Sequence, residues 1–266
     1  MGTRLQGKVV LVTGCGSSGP GWGIGKAVSV VSAREGAFVY GCDRNTQAAE
    51  TTRELILAEG GRCEVATVDV TKSGQVSAFV EACIQAGGRV DVVVNNVGIA
   101  EVGGPVDYPE DKWQRDLEVN VTSMFLMCKY ALPYMERQGG GSIVNIGSIA
   151  AIRYSGVPYI SYYTTKAAVL GFSRAIALQY ASRGIRSNVV LPGLMNTPMI
   201  VEPLKGVYGD GDIERMMEIR NRQCPMGHMG DAWDVAEAVC YLASDQAKYV
   251  TGTELVVDGG ITAKFC

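Results

Sequence analysis

The chain has 266 residues, a formal net charge of −3 at neutral pH, 47% hydrophobic residues and 34 glycines. That length and apolar content suit one α/β domain over residues 1–266, with a buried core and many tight turns, and no Pro/Ser-rich linker or block of like charge divides it. The charge balance leaves no basic footprint for nucleic acid or an anionic membrane, and no apolar run is long enough to cross a bilayer.

The first residues, MGTRLQGK, lead straight into a strand without the pattern of a signal peptide, and the expectation is of a cytoplasmic protein. The eight cysteines are scattered without a CxxC pair and His228 is the only histidine. A zinc site therefore has no clustered ligands, and the thiols read as reduced core residues.

In chain order, Lys8–Thr13 has the continuous hydrophobicity of a buried parallel strand. It opens into the glycine-rich stretch Gly14–Gly25, and a helical pattern follows from Lys26 to Gly36. Strand, glycine loop and helix start in that order make a phosphate-binding turn, because backbone N–H groups at a helix start attract pyrophosphate. Gly14, Gly16 and Gly19 spell GxGxxG, but Pro20-Gly21 follows, through which a helix cannot run. The working frame is therefore Thr13-Gly14 paired with Gly23-Ile24-Gly25. The next strand, Ala37–Cys42, ends at Asp43. A carboxylate there is placed to bind both ribose hydroxyls of an adenosine and to repel the extra phosphate of NADP. Arg44 beside it pulls the other way, as a cation that such a phosphate would meet; on balance the pair favours NAD.

A helix is expected over Thr46–Glu59, a third strand over Arg62–Val68 ending in Asp69-Val70-Thr71, and a helix through Val76–Gln85. Val90–Val94 then leads into Asn95-Asn96-Val97-Gly98. Asparagine and glycine just past a strand's carboxyl end line the ligand crevice of a doubly wound sheet, and they also make ordinary turns. From Asp111 to Arg137 the pattern is helical, with Asn120 inside an otherwise apolar face of Leu117, Val121 and Phe125. A buried Asn needs partners, so it is a structural hydrogen-bonder or part of a water relay.

Ile143–Ile146 forms a fifth strand, with Ser148 at its end, and Tyr162 and Lys166 open a long helical pattern. Four residues apart on a helix, those two side chains share a face. A phenol keeps its proton to a pKa of about 10, and a neighbouring ammonium favours the phenolate. With Ser148 bonding a substrate oxygen, the three make a proton-transfer device for an alcohol or a carbonyl. A second Tyr-xxx-Lys pair, Tyr108 with Lys112, is followed by Pro109 and has no strand-end serine, so it reads as a decoy. The helix after Lys166 is apolar nearly all round and is expected to be fully buried, another subunit covering it.

Ile185–Leu191 is strand six, followed by Pro192-Gly193 and Thr197. The segment 195–223, glycine-interrupted and then helical, reads as a mobile flap over the substrate. A helix at Ala232–Ala243 and a strand at Glu254–Val257 complete the sheet. Ile149, Ile152, Tyr154, Leu194, Met195, Met199 and Met217 either line an apolar pocket or pack in the core. Arg153 is either a partner for a substrate carboxylate or a solvated cation.

In this order and spacing, Thr13-Gly14…Gly23-Ile24-Gly25, Asp43, Asp69-Val70, Asn95-Asn96-Val97-Gly98, Asn120, Ser148, Tyr162-x-x-x-Lys166, Pro192-Gly193, Thr197 and the closing YVTGTELVVDGG resemble the short-chain dehydrogenase/reductase family along nearly the whole chain. The resemblance implies a Rossmann-like doubly wound three-layer sandwich with a seven-stranded parallel sheet and a homotetramer; with Asp43 favouring NAD and the apolar flap and loop residues suiting a cyclic or aromatic group, the expected reaction is reversible NAD-dependent oxidation of a secondary alcohol, cyclic or aromatic. It implies that Tyr162 is the acid/base, that Lys166 lowers its pKa and holds the nicotinamide ribose, that Ser148 orients the substrate oxygen, and that Asn120 supports a relay water. Gly14, Ser17, Gly23 and Ile24 would meet the pyrophosphate side of the cofactor, Asp43 the adenosine ribose, Asp69 and Val70 the adenine, Asn96 the adjacent ribose, and Thr197 the carboxamide end, with Gly98 also in the cofactor site. The chain departs from the family pattern in having eight residues, Cys15 to Trp22, between Gly14 and Gly23, Val97 where Ala is usual, and one extra residue between Ser148 and Tyr162. Two rival readings are an NADPH-dependent 3-oxoacyl reductase and a non-catalytic NAD-binding regulator, which would have no need of the Ser148, Tyr162, Lys166 set.

Overall fold

Strands with no polar alternation are stable only when both faces are covered. Val9–Thr13 (β1) and Val92–Asn95 (β4) are buried at every position in the computed structural model, which describes residues 3–200, 204, 207 and 212–264. Around them stand Phe38–Asp43 (β2), Arg62–Thr67 (β3), Gly141–Ile146 (β5), Ile185–Pro192 (β6) and Glu254–Val257 (β7). The helices are Ile24–Arg34 (α1), Thr46–Ala58 (α2), Ser73–Gly87 (α3), Glu110–Leu117 (α4), Ser123–Arg137 (α5), Ile160–Tyr180 (α6), Ile213–Gln223 (α7) and Ala232–Ala243 (α8).

The seven strands pair in the order β3-β2-β1-β4-β5-β6-β7, all parallel. Alternate residues of β1 enter opposite cores: Val10 and Val12 pack with Val28, Val31, Val235 and Val239 of α1 and α8, while Val9 and Leu11 pack with Phe79, Leu126, Met127 and Ile176 of α3, α5 and α6. The result is the expected α/β three-layer sandwich. The chain steps outward from β1 to β3 and then crosses back to β4, so a crevice opens at the carboxyl ends of β1 and β4, where ligands bind in such sheets.

Three elements depart from expectation. First, α1 starts at Ile24 rather than Lys26, with Gly23 in extended conformation before it. Second, the helix expected from Asp111 to Arg137 is interrupted by a π-helical turn at Glu118–Thr122. Such a turn adds one residue and rotates the helix beyond it by about 100°. Asn120 is therefore fully buried, whereas Phe125, expected on the same apolar face, is 51% exposed. Third, α6 buries Ser161, Thr165, Lys166, Val169, Ser173, Ile176 and Ala177, but its opposite face, Ala167, Ala168, Gly171, Ala175 and Leu178, is exposed within the single chain. Its apolar pattern thus exceeds what its own sheet covers.

Within the expected flap, Pro198–Ile200 forms a short 3-10 turn and α7 is helical. Residues 201–203, 205, 206 and 208–211 lie outside the described residues, and the expectation of mobility with them. No helix among the described residues is long and apolar enough to cross a membrane.

Candidate active site

The carboxyl ends of β1, β4, β5 and β6 open onto one cavity of about 790 Å³. Gly14, Ser17, Gly23 and Ile24 line it from the glycine loop, Asp43 from the end of β2, and Asp69 and Val70 from beyond β3. Asn96 and Gly98 face it after β4, Ser148 after β5, Tyr162 and Lys166 from α6, and Thr197 after β6. The sequence-predicted residues are thus brought together, with Asn120 just behind the wall.

The glycine loop is shaped by contacts that only glycine permits. A Cβ on Gly25 would lie 1.9 Å from the Gly14 carbonyl oxygen, and one on Gly16 would lie 2.6 Å from the Ala48 Cβ. Gly16, set aside in the sequence frame, is therefore required by packing: its N–H donates to Asp43 Oδ2 at 3.1 Å. The other Asp43 oxygen accepts the Asn45 N–H at 2.9 Å, so the carboxylate is held at the cavity edge from two sides. The Asn96 amide group donates to the carbonyls of Thr13 and Gly14 at 3.1 and 3.0 Å, and the Thr13 hydroxyl accepts the Asn96 N–H at 3.0 Å. Asn96 thereby binds the loop to β4. No side chain caps the start of α1, which leaves its first N–H groups to an anion.

The lengthened part of the loop is anchored rather than loose. Trp22 packs against Trp233 of α8 with ring centroids 4.4 Å apart and planes tilted by 51°, and the Lys26 ammonium lies 4.6 Å from the Trp22 ring centre. The Ser17 hydroxyl donates to the Gly19 carbonyl at 2.8 Å, and Gly19 is pressed so near Pro198 that an added Cβ would stand 3.2 Å from it. Asp69 is held by Thr71, whose N–H and hydroxyl donate to Oδ1 at 2.9 and 2.7 Å. Burial pushes the Asp69 carboxyl up, but those two bonds outweigh it and leave the group below the usual carboxylate range.

Lys166 is 2% exposed, and its ammonium donates to the Ile146 carbonyl, the last of β5, at 2.8 Å. Burial lowers its pKa to about 8. The same ammonium stands 5.5 Å from the Tyr162 ring centre. Burial holds the Tyr162 phenol above its ordinary value, while hydrogen bonding by the Ser148 side chain acts to lower it. Desolvation outweighs that hydrogen bond in setting the direction of the shift. Ser148 caps the 3-10 turn Ile149–Ala151, its hydroxyl accepting the Ala150 N–H at 3.1 Å.

The Asn120 side chain accepts the Ile99 N–H at 2.8 Å and donates to the Ile99 carbonyl at 2.9 Å and the Thr165 hydroxyl at 3.0 Å. Both ends of its amide are bonded within the protein. Gly98 keeps the space beside it open: a Cβ there would be 3.2 Å from the Lys166 ammonium.

Of the expected pocket residues, Ile149, Leu194, Met195 and Met199 line the cavity. Three do not. Ile152 packs on Met124 and Val169, Tyr154 is 72% exposed against Tyr163, and Met217 packs on Val157 and Leu204. Arg153 also lies outside, its guanidinium donating to the Ile152 and Thr262 carbonyls at 3.0 and 3.2 Å. The cavity further takes in Tyr159 and the 5%-exposed Arg220, which sequence reading missed. Arg220 lies in a helix so rich in charge that nothing in the pattern marks one guanidinium as buried. Among the described residues no cluster of three His, Cys, Asp or Glu is placed to hold a metal.

A family profile described as enoyl-(acyl carrier protein) reductase matches residues 19–262. The chain belongs to the short-chain dehydrogenase/reductase family. The crystal structure of a short-chain dehydrogenase/reductase from Burkholderia xenovorans superposes with a TM-score of 0.95 at 47% identity, covering 99% of this chain and 100% of that one. A 2,5-dichloro-2,5-cyclohexadiene-1,4-diol dehydrogenase of Sphingobium indicum is 36% identical, covering 98% of each chain. A 3-oxoacyl-[acyl-carrier-protein] reductase of Thermotoga maritima is 35% identical, covering 97% of this chain and 99% of its own length. This short-chain dehydrogenase/reductase is therefore an oxidoreductase of a family that binds nicotinamide cofactors. Its cavity suits such a dinucleotide: Gly14, Gly16, Gly25 and Gly98, which all line it, let the backbone pack where a Cβ would collide with neighbouring protein atoms, and the uncapped start of α1 opens onto it.

The depressed Lys166 pKa makes stability depend on pH. Between about 8 and the ordinary 10.5 the unfolded chain holds a proton that the folded chain has released, so folding becomes more favourable as pH rises through that window. Relative to Lys166→Met, the parent's unfolding free energy, measured by denaturant titration, is expected to climb over that range and to run parallel below it.

Proposed function

We propose that the protein catalyses reversible NAD-dependent oxidation of a secondary alcohol, cyclic or aromatic, to the corresponding ketone. The observation that carries this reading is the meeting of Ser148, Tyr162 and Lys166 at the carboxyl end of β5, in the cavity that Asp43 and the glycine loop also line. Bound NAD would supply the hydride acceptor. Tyr162 takes the hydroxyl proton of the alcohol, or returns it to the carbonyl in the reverse direction. Ser148 holds the substrate oxygen beside the phenol, and Lys166, fixed on Ile146, would hold the nicotinamide ribose. Holding the reactants in contact supplies much of the acceleration.

Ile149, Leu194, Met195 and Met199 give the substrate end of the cavity an apolar wall, which supports a ring over a charged chain. Asp43, fixed by two N–H donors, supports NAD over NADP. Arg44, which also lines the cavity, supports the rival reading of an NADPH-dependent 3-oxoacyl reductase. The exposed small-residue face of α6 supports assembly with further copies, as a homotetramer. The free cysteines of the described residues, all buried, support residence in the reducing cytoplasm.

Three measurements test these points. Because burial keeps the Tyr162 phenol protonated, ketone reduction is expected to be favoured near neutrality and alcohol oxidation to rise with alkaline pH, and Tyr162→Phe is expected to lower kcat in both directions by about 10²–10⁴. A panel of cyclic, aromatic and aliphatic alcohols followed at the NADH band reads both; a Tyr162→Phe enzyme as fast as the parent would overturn the mechanism. NADH is expected to bind more tightly than NADPH, with the preference narrowed in Asp43→Ser; tighter NADPH binding by the parent favours the acyl-reductase reading. In light scattering the parent is expected to have the mass of four chains, and Gly171→Arg a smaller one.

A further inference from the structure

The catalytic helix α6 begins without a side-chain cap and without an acidic residue in its first turn. A carboxylate from another helix stands there instead. Asp116 of α4 is 1% exposed, and its Oδ2 accepts hydrogen bonds from two hydroxyls: Tyr108, at 2.6 Å, and Ser161, the residue immediately before Tyr162. Among the described residues no cation pairs with Asp116, and its other oxygen has no hydrogen-bond partner. Burying a carboxylate without a counter-charge is unfavourable, and an apolar side chain of similar size would serve packing better. Its use here is therefore in fixing geometry.

What it fixes is the junction between the cofactor side of the cavity and the acid/base. Tyr108 closes over Gly103 so tightly that a Cβ there would lie 2.3 Å from its ring. Gly103 in turn bonds across the start of α6: its N–H donates to the Pro158 carbonyl at 2.7 Å and its carbonyl accepts the Ile160 N–H at 3.1 Å. The same loop begins with Ile99, which the Asn120 amide grips and which lines the cavity. Asp116, Tyr108 and Ser161 do not line it themselves.

We propose that Asp116 is a positioning residue: through the Tyr108 and Ser161 hydroxyls it clamps the loop after β4 to the first turn of α6, and so holds Tyr162 in line with the substrate oxygen. This rests on Tyr162 being the acid/base.

The test uses the full-length protein with NAD and the alcohol of the panel that the parent oxidises fastest. Asp116→Ala is expected to lower kcat by about 10–100-fold, the scale of a misplacement near 1 Å, and Ser161→Ala by about tenfold. The Kd for NADH, read by fluorescence, is expected to stay within about twofold of the parent, and Asp116→Asn, which still accepts from both hydroxyls, to keep kcat within about threefold. If Asp116→Ala does not fold, Ser161→Ala carries the test. A parental kcat in Ser161→Ala, an equal loss of NADH affinity and kcat, or an Asp116→Asn as slow as Asp116→Ala overturns the clamp. A dead Tyr162→Phe beside an unimpaired Ser161→Ala fails the clamp alone, whereas a fully active Tyr162→Phe fails the reading of the site.

Discussion

The site depends on one buried ammonium. Lys166 reaches across from α6 to the carbonyl that ends β5, and that bond sets where the helix stands against the carboxyl edge of the sheet. Since the cation is removed from water and only a neutral carbonyl receives it, its proton is held less firmly than on a surface lysine. Tyr162 lies a turn earlier on the same helix, so its place is fixed by the same bond. A second tie holds α6 deeper in the core, where a chain of buried hydrogen bonds runs from Asn95 to Asn145 at 2.8 Å, on to Ser187 at 3.4 Å and to Ser173 of α6 at 2.9 Å. A polar chain of that kind is favourable only when every link closes, which selects one seating of the helix over others.

Electrostatics of the protein alone are set by exclusion of water more than by neighbouring charge. The phenol of Tyr162 and the ammonium of Lys166 both shift toward their neutral forms. Pairing charged groups in such a place needs an oppositely charged or strongly hydrogen-bonding third party, which is the usual condition of a site waiting for a ligand. The carboxylates at the far end of the cavity differ. Asp43 and Asp69 are both met by N–H donors and remain suited to polar contacts with a ribose or a base.

Much of the fold was legible because the strands are continuous apolar runs and the glycines mark close approach. Glu254–Val257 and Ala232–Ala243 fall where periodicity put them. The π-helical turn was not legible, because Leu117, Val121 and Phe125 keep helical spacing and only an extra residue in the backbone turns Phe125 outward. Residues at the strand ends were picked out by type and place, whereas for Ile152 and Met217 the sequence left pocket wall and core packing open, since apolar character alone cannot tell the two apart; they pack in the core, and Tyr154 does neither, being 72% exposed. Tyr108 and Lys112, set apart from Tyr162 and Lys166 in the sequence, do not line the cavity: the phenol is spent on Asp116 and the ammonium on Glu101 at 2.5 Å. Their position beside α6 followed only from the tertiary fold.

The packing of Trp22 against Trp233 bears on the thermodynamics of ligand capture. Extra residues in a glycine-rich segment ordinarily add freedom that a ligand must remove before it can be gripped. Here the indole pair fastens one end of the added segment to α8 and Pro198 crowds its middle, so that freedom is surrendered when the chain folds. An incoming dinucleotide would therefore meet a loop already fastened at one end and crowded at its middle, with less ordering left to oppose binding.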